Sequence, residues 1–284
     1  MSLLLAVDAG GSTCRFALET DGGRVDLALG AANVTSDFDG ALRTLVSGLS
    51  ELAKKAGLRA DALNDAPACL ALAGVTGPDV AARVAGALPL RHAVVEDDQR
   101  AGVIGALGER AGCLAGIGTG SFVARQTGGD LRFLGGHGLI LGDEASGAWL
   151  GRGLLTRALH AHDGLAPRTP LTDELLSGMG GNTGIIAFAR RAAPADFATL
   201  APRVTRGDDP ASRALMREGA RYLEAAIAAL GRREGEPLCL VGGVGPAYAD
   251  YLDADLRTAL VPPEGTTLDG ALTLARRLAG PRSG

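Results

Sequence analysis

Lysine is almost missing from this 284-residue chain: Lys54 and Lys55 are its only two, and arginine supplies the rest of the 28 basic residues. Neither lysine follows a glycine, so a Gly-Lys-Ser/Thr phosphate loop is excluded. Both sit at the end of an exposed helical pattern, which removes a Schiff-base lysine as well. Against 32 acidic residues the net charge is −4, with no clustered basic face of the kind nucleic acid requires. Cysteine is sparse and scattered: Cys14, Cys69, Cys113 and Cys239 lie 55, 44 and 126 residues apart, with no C-x-x-C pair. That pattern reads as free thiols of a cytosolic protein, without a zinc site or a disulfide framework. His160 and His162 are two apart, which points them to different faces of a helix rather than to one metal ion. No stretch of about 18 residues is uninterruptedly apolar, so no membrane-spanning helix is expected. The apolar start, Met1 to Val7, lacks a basic leader and meets Asp8 at once. It reads as a first strand and not as a secretory signal.

What is present is a chain 46% hydrophobic and 21% charged, enough to bury one large core or two medium ones at about 100–200 residues per domain. Short apolar runs alternate with helical stretches, the mark of an α/β protein. Leu3–Val7 is a strand and Thr13–Glu19 its hairpin partner; Ala68–Ala73, Ala93–Val95 and Leu238–Val241 are further strands. Leu42, Leu45, Val46, Leu49 and Leu52 line one face of a helix over Ala41–Lys55. Asp209-Pro210 supplies a cap and a first-turn proline for a helix running to about Gly231, and Gly270–Leu278 forms a last helix. Trp149 reads as a core residue, the Arg152, Arg157, His160 and His162 run as a solvated helix face, and Asp163–Pro170 as a connecting loop.

Leu4-Leu-Ala-Val-Asp-Ala-Gly-Gly-Ser12 and the strand after it are echoed, at an offset of 109 residues, by Cys113-Leu-Ala-Gly-Ile-Gly-Thr-Gly-Ser121 and Phe122–Arg125. Each copy is strand, Gly-rich turn, strand. The offset is too long for a solenoid and fits two similar domains, with a ligand cleft expected between them. Glycines at a hairpin tip let backbone amides approach phosphate oxygens, and the Ser/Thr hydroxyls add donors. Asp8, at a strand end, suits a Mg²⁺ held mostly through water. Gly116-Ile-Gly-Thr-Gly-Ser121 lacks the G-x-G-x-x-G register and is followed by a strand, so it reads as a second phosphate hairpin rather than a dinucleotide turn. Leu240-Val-Gly-Gly-Val-Gly245 ends a strand in a flat backbone on which a base could rest. Glu96-Asp-Asp98 follows an apolar strand, placing carboxylates where open α/β folds bind ligands, one of them available as a general base.

Taken in order, a phosphate hairpin, an acidic strand end, a second phosphate hairpin and a Gly-Gly loop resemble the sugar kinase/Hsp70/actin superfamily. Within it the chain is similar to the BadF/BadG/BcrA/BcrD-type ATPase family, and to its N-acetylglucosamine and glucosamine kinase branch. Asp8–Arg15, Asp97-Asp98-Gln99 and Gly142-Asp-Glu-Ala-Ser-Gly-Ala-Trp149 carry the likeness, which extends from Leu4 to Leu272. It implies a two-domain α/β fold of duplicated ribonuclease H-like halves, residues 1–107 and 108–284, with a last helix at about 270–280 packing back on the first. It implies an ATP-dependent hexosamine kinase acting on the 6-hydroxyl, with Asp98 as catalytic base and Asp8 on the Mg²⁺ side. Gly10, Gly11, Ser12, Thr13 and Arg15, then Gly118, Thr119, Gly120 and Ser121, would hold phosphates. Gly242 and Gly243 would lie under the adenosine, and Asn33, Asp98 and Asp143 against sugar hydroxyls. The chain departs from the pattern at Thr13, where many relatives carry a basic residue and Arg15 would substitute, at Ala145 in place of Gly, and at Asp97 in place of Asn.

Two alternatives belong to other classes. An ATPase activating a radical dehydratase or reductase would hold an iron–sulfur cluster on grouped cysteines, which this spacing disfavours. A sugar-sensing regulator would carry a DNA-binding helix-turn-helix ahead of the first strand. The partners expected are therefore ATP and an amino sugar, without nucleic acid or membrane, in a cytoplasmic protein for which the family implies a possible homodimer.

Overall fold

The computed structural model describes residues 3–10, 13–34 and 37–280. The chain runs β1 (Leu4–Ala9), β2 (Cys14–Thr20), β3 (Gly23–Leu29), α1 (Phe38–Lys55), β4 (Ala68–Leu72), α2 (Pro78–Ala87), β5 (Ala93–Glu96) and α3 (Asp98–Leu107). It continues through β6 (Gly112–Ile117), β7 (Ser121–Thr127), β8 (Asp130–Gly135), α4 (Gly147–His162), α5 (Pro170–Gly178), α6 (Gly181–Ala189), α7 (Pro194–Ala198) and α8 (Ala201–Thr205). The last elements are α9 (Pro210–Ala229), β9 (Leu238–Val241), α10 (Ala254–Thr258) and α11 (Thr267–Leu278). Two compact units result, one from Met1–Glu109 with Pro263–Gly284 and one from Arg110–Pro262. Among the described residues no helix is long and apolar enough to cross a membrane.

The first unit is built on a five-stranded sheet in the order β3-β2-β1-β4-β5. β1 to β3 form an antiparallel meander, and β1, β4 and β5 run parallel, so their carboxyl ends emerge on one side. β1 is covered on both faces, which explains its unbroken apolar run. Leu5, Val7 and Ala9 pack with the α1 leucines, whereas Leu4 and Ala6 pack with α3 and α11. α1 starts at the Asp37 cap, whose side chain accepts from the Gly40 amide at 2.9 Å. Of the expected stripe it buries Leu45, Leu49 and Leu52, each contributing about 1.5–3 kcal/mol, while Leu42 is half-buried and Val46 is exposed.

α11 closes the first unit. It crosses α3 with almost no side chain between the backbones: a Cβ on Gly270 would stand 1.8 Å from the Ala101 carbonyl oxygen, and one on Gly105 2.0 Å from that of Thr266. Arg276 and Arg277 pair with Glu19 and Glu109, fastening the helix at its far end.

The second unit repeats the arrangement with a four-stranded sheet in the order β8-β7-β6-β9, where β6 to β8 form the meander and β9 lies parallel to β6. The 109-residue echo in the sequence is this pair of matching meanders. The sheet packs against α4 and α9, with Phe197 and Val204 from the short α7 and α8. α9 begins as expected at Asp209, whose side chain accepts from the Ala211 amide at 2.8 Å. Trp149 is partly buried against this core. Arg152 is exposed, as expected of a solvated helix face, and its guanidinium also donates to the Leu139 carbonyl at 2.7 Å.

Candidate active site

The first unit gathers its polar groups at the carboxyl ends of its parallel strands. Residues alternate between faces along β1, so Asp8 falls on the side of Leu4 and Ala6, the side that α3 and α11 cover. Across the ladder Asp8 stands opposite Arg15 of β2, and the Arg15 guanidinium lies 3.3 Å from its carboxylate. Burial pushes the Asp8 carboxyl above the usual range, and Arg15 offsets part of that rise. The turn between the two strands is closed by the Gly10 amide donating to the Thr13 carbonyl at 3.0 Å. Gly11 and Ser12, at its tip, lie outside the described residues. The Gly10 carbonyl accepts from the Ala32 amide at 3.2 Å, tying the turn to the loop that holds Asn33. The partly buried Asn33 accepts from the Asp37 amide through its own carbonyl, just ahead of α1.

β5 delivers Glu96 and then Asp97, which caps α3 by accepting from the Gln99 amide at 2.8 Å. Asp98 is consequently the first residue of the helix. Burial, reinforced by the negative charges of Asp97 and Asp8, pushes its carboxyl up to about 7. Asp97 is itself raised by burial. Glu96 is also raised by burial, accepts from the Cys69 thiol at 3.9 Å, and pairs with Arg100 at 3.3 Å.

In the second unit the β6–β7 turn forms a tight tip in which the Gly118 amide donates to the Gly120 carbonyl at 2.9 Å. Below the tip, the first amides of α4 are taken: Gly147 donates to the Gly118 carbonyl at 2.8 Å and Ala148 to that of Thr119 at 3.2 Å. The Thr119 and Gly120 amides have no backbone partner among the described residues, and the space over Gly118 is open. Such a tip can receive phosphate oxygens. The Ser121 hydroxyl instead points into the fold and donates to the Glu144 carbonyl at 2.6 Å.

Gly242 and Gly243 adjoin the same tip. Gly242 has φ +85°, and a Cβ there would approach the Ile117 carbonyl oxygen to 2.3 Å, while Gly243 faces open space. The Val244 amide donates to the Ile117 carbonyl at 3.0 Å, so the base of the hairpin and the Gly-Gly loop are one hydrogen-bonded piece.

Asp143 is buried against this hairpin. It accepts from the Gly138 amide at 3.1 Å and from the Ser121 amide, and burial still raises its carboxyl. Asp143 and Ala145 are the two non-glycine residues of positive φ among those described, at +58° and +68°. Left-handed backbone on both sides of Glu144 costs of order 1–3 kcal/mol each. The Tyr248 hydroxyl, donating to the Ala145 carbonyl at 2.8 Å, is one of the contacts that hold it. Sequence reasoning did not find Tyr248, Gly138 or Arg152. Their contacts run to backbone atoms, and a side chain reaching a carbonyl leaves no motif.

For Mg²⁺, the first unit offers the partly buried carboxylate of Asp8 beside a phosphate-type turn. Among the described residues no group of three or more His, Cys, Asp or Glu is arranged to hold a metal directly. The residues fit Mg²⁺ all the same, because this ion keeps several waters and uses one or two carboxylates plus substrate phosphates.

The chain is 29% identical over 283 residues to the glucosamine kinase GspK of Vibrio cholerae, covering 97% of this chain and 96% of that one. A solved Chromobacterium violaceum protein assigned as an N-acetylglucosamine kinase superposes with a TM-score of 0.86 at 32% identity, covering 97% and 99%. A ROK family glucokinase from Streptomyces griseus, with glucose and AMPPNP bound, shares the fold at a TM-score of 0.58 and 18% identity, covering 97% and 100%. The profile of the BadF/BadG/BcrA/BcrD ATPase family matches residues 5–260, and the chain belongs to that family.

Proposed function

We propose that this protein is an ATP-dependent amino-sugar kinase, transferring the γ-phosphate to the 6-hydroxyl of glucosamine or N-acetylglucosamine. The observation that carries the reading is Asp98, set at the start of α3 with its carboxyl raised to about 7, in a chain similar to a glucosamine kinase along 97% of its length.

Phosphoryl transfer asks the protein for position and charge more than for covalent chemistry. Asp98 accepts the sugar hydroxyl proton as the bond to phosphorus forms, an effect worth about 10²–10⁴ in rate. Arg15, beside the first turn, and the Thr119 and Gly120 amides of the second turn serve as donors for phosphate oxygens. The open backbone at Gly243 takes the adenosine. Asn33 and Asp143 hydrogen-bond sugar hydroxyls, and Asp143 also holds the second turn in shape. Asp8 would hold Mg²⁺ through its waters, and the ion would neutralise charge on the nucleotide phosphates. A cytoplasmic setting suits such an ATP-using enzyme.

The activator reading has little support, since the four cysteines are buried one to a strand in β2, β4, β6 and β9. The test is ADP release with Mg·ATP across glucosamine, N-acetylglucosamine and glucose. Turnover that depends on one amino sugar supports the kinase; ADP release independent of any sugar overturns it.

A further inference from the structure

The segment between β8 and α4 has little of its own to give it shape. Gly135 ends β8, Gly136, Gly138 and Gly142 follow, and the first three of these glycines have left-handed backbone. Ile140 and Leu141, at its tip, are 91% and 82% exposed. Contacts pin the segment at its start, its end and its middle. The Gly136 amide donates to the Ser121 carbonyl at 2.9 Å. The Gly138 amide donates to the Asp143 carboxylate at 3.1 Å, which closes residues 138–143 into a ring. Within that ring the Leu139 side chain is buried in the core of the second unit, and the Leu139 carbonyl accepts from the Arg152 guanidinium at 2.7 Å.

The two arginines of α4 are used differently. Arg157 pairs with Glu218, whereas Arg152 gives its charged donor to a backbone oxygen. Hydrogen bonds from an ionised donor are among the stronger ones. α4 also fixes where that donor stands. Its first turn is bonded beneath the β6–β7 tip through the Gly147 and Ala148 amides, and Leu150, Leu154 and Leu155 root it in the core. Arg152 lies one turn beyond Ala148, on the same face of the helix. A single helix thus supports the hairpin tip at Ala148 and clamps the Asp143 loop at Arg152.

We infer that Arg152 is a positioning residue for sugar binding: it holds the Leu139 carbonyl, which keeps the Gly138 amide on the Asp143 carboxylate and Asp143 in one orientation. This rests on the phosphotransfer reading above, in which Asp143 meets sugar hydroxyls. Without the clamp the flanking glycines let the segment swing. The sugar must then reorder it on binding, at a cost in affinity. The β6–β7 tip keeps its own bonds to α4 and is unaffected.

The test uses two readouts on the full chain, for wild type, Arg152→Met and Arg152→Lys. Methionine keeps much of the side-chain length and removes the donor; lysine restores one donor on a flexible stem. In steady-state kinetics Arg152→Met should raise the KM for the sugar about tenfold, leave the KM for ATP at the wild-type value, and lower kcat far less than it raises the sugar KM. Arg152→Lys should recover part of the loss. The second readout is amide hydrogen exchange of residues 136–143 in the protein without substrates, which should be faster in Arg152→Met than in wild type. An unchanged sugar KM in Arg152→Met overturns the positioning role. A rise in both KM values together with a lower thermal midpoint also overturns it, since that marks a general loss of structure. An Arg152→Lys variant no better than Arg152→Met overturns the hydrogen bond as the cause, and unchanged exchange overturns the clamp. If wild type phosphorylates no amino sugar, the kinase reading fails and takes the sugar role with it, while the exchange rates still decide the clamp.

Discussion

The Tyr248 hydroxyl, fully buried, donates a 2.8 Å hydrogen bond to the Ala145 carbonyl. Tyr248 follows the Gly-Gly loop, and Ala145 sits in the left-handed turn that aims Asp143 at the second phosphate hairpin, so one bond joins two pieces of the proposed nucleotide and sugar site. Gly219 of α9 makes room for the ring, since a Cβ there would stand 2.2 Å from the hydroxyl oxygen. Tyr248→Phe should leave the Ala145 carbonyl unsatisfied at a cost of about 1–3 kcal/mol. Calorimetry should show a lower transition for the variant, and steady-state kinetics a raised KM for the sugar.

The crossing of α3 and α11 should be intolerant of even one methyl group. At Gly270 the obstacle is the Ala101 carbonyl, backbone that cannot swing aside. Gly270→Ala should therefore destabilise the first unit by about 1–3 kcal/mol and displace α3, the helix that begins at Asp98. Denaturant unfolding followed beside sugar-dependent turnover should show both losses together.

Gly242 should be equally restrictive in the second unit. A side chain there meets left-handed backbone and the Ile117 carbonyl oxygen at 2.3 Å. Gly242→Ala should raise the KM for ATP about tenfold or more, the equivalent of about 1.4 kcal/mol of lost binding. The KM for the sugar should change far less. Nucleotide titration by calorimetry separates the two.

Asp98 should cost the fold stability in return for its place in the site. Its folded pKa, about 7, lies above the unfolded value of 3.8, so between those values the folded state keeps a proton that the unfolded state releases. Stability from this group is present below pH 4 and is lost as the pH rises through 7. Asp98→Asn should be more stable than wild type at pH 8, by about 1–2 kcal/mol once solvent screening of a partly exposed group is allowed for. The gain should vanish toward pH 4, which thermal melts at the two pH values will show. Turnover at pH 8 should fall by about 10²–10⁴.

In the candidate site, the sequence made legible those parts where the proposed chemistry restricts the residue type at a fixed place on a strand. Asp8, Gly10, the Gly118–Gly120 tip, Asp98 and the Gly242-Gly243 pair all close or follow strands whose apolar runs were plain. β3 and β8 were missed because both are sheet edges, with charged or exposed positions interrupting the alternation of Val25, Leu27 and Leu29 and of Leu131 and Phe133. The Asp143 turn was legible as a motif but not as a conformation, since left-handed backbone at Asp143 and Ala145 has no glycine to announce it. Arg152 read as a surface residue and is exposed, but its bond to the Leu139 carbonyl was not legible, because a backbone partner carries no signature of its own.

The most direct measurement is ³¹P NMR of the products formed by wild type and Asp98→Asn from Mg·ATP with glucosamine and with N-acetylglucosamine. Wild type should yield ADP and a sugar 6-phosphate in equal amounts from at least one of the two, and Asp98→Asn should yield neither on the same timescale. ADP without a sugar phosphate, or undiminished sugar phosphate from Asp98→Asn, would contradict the assignment.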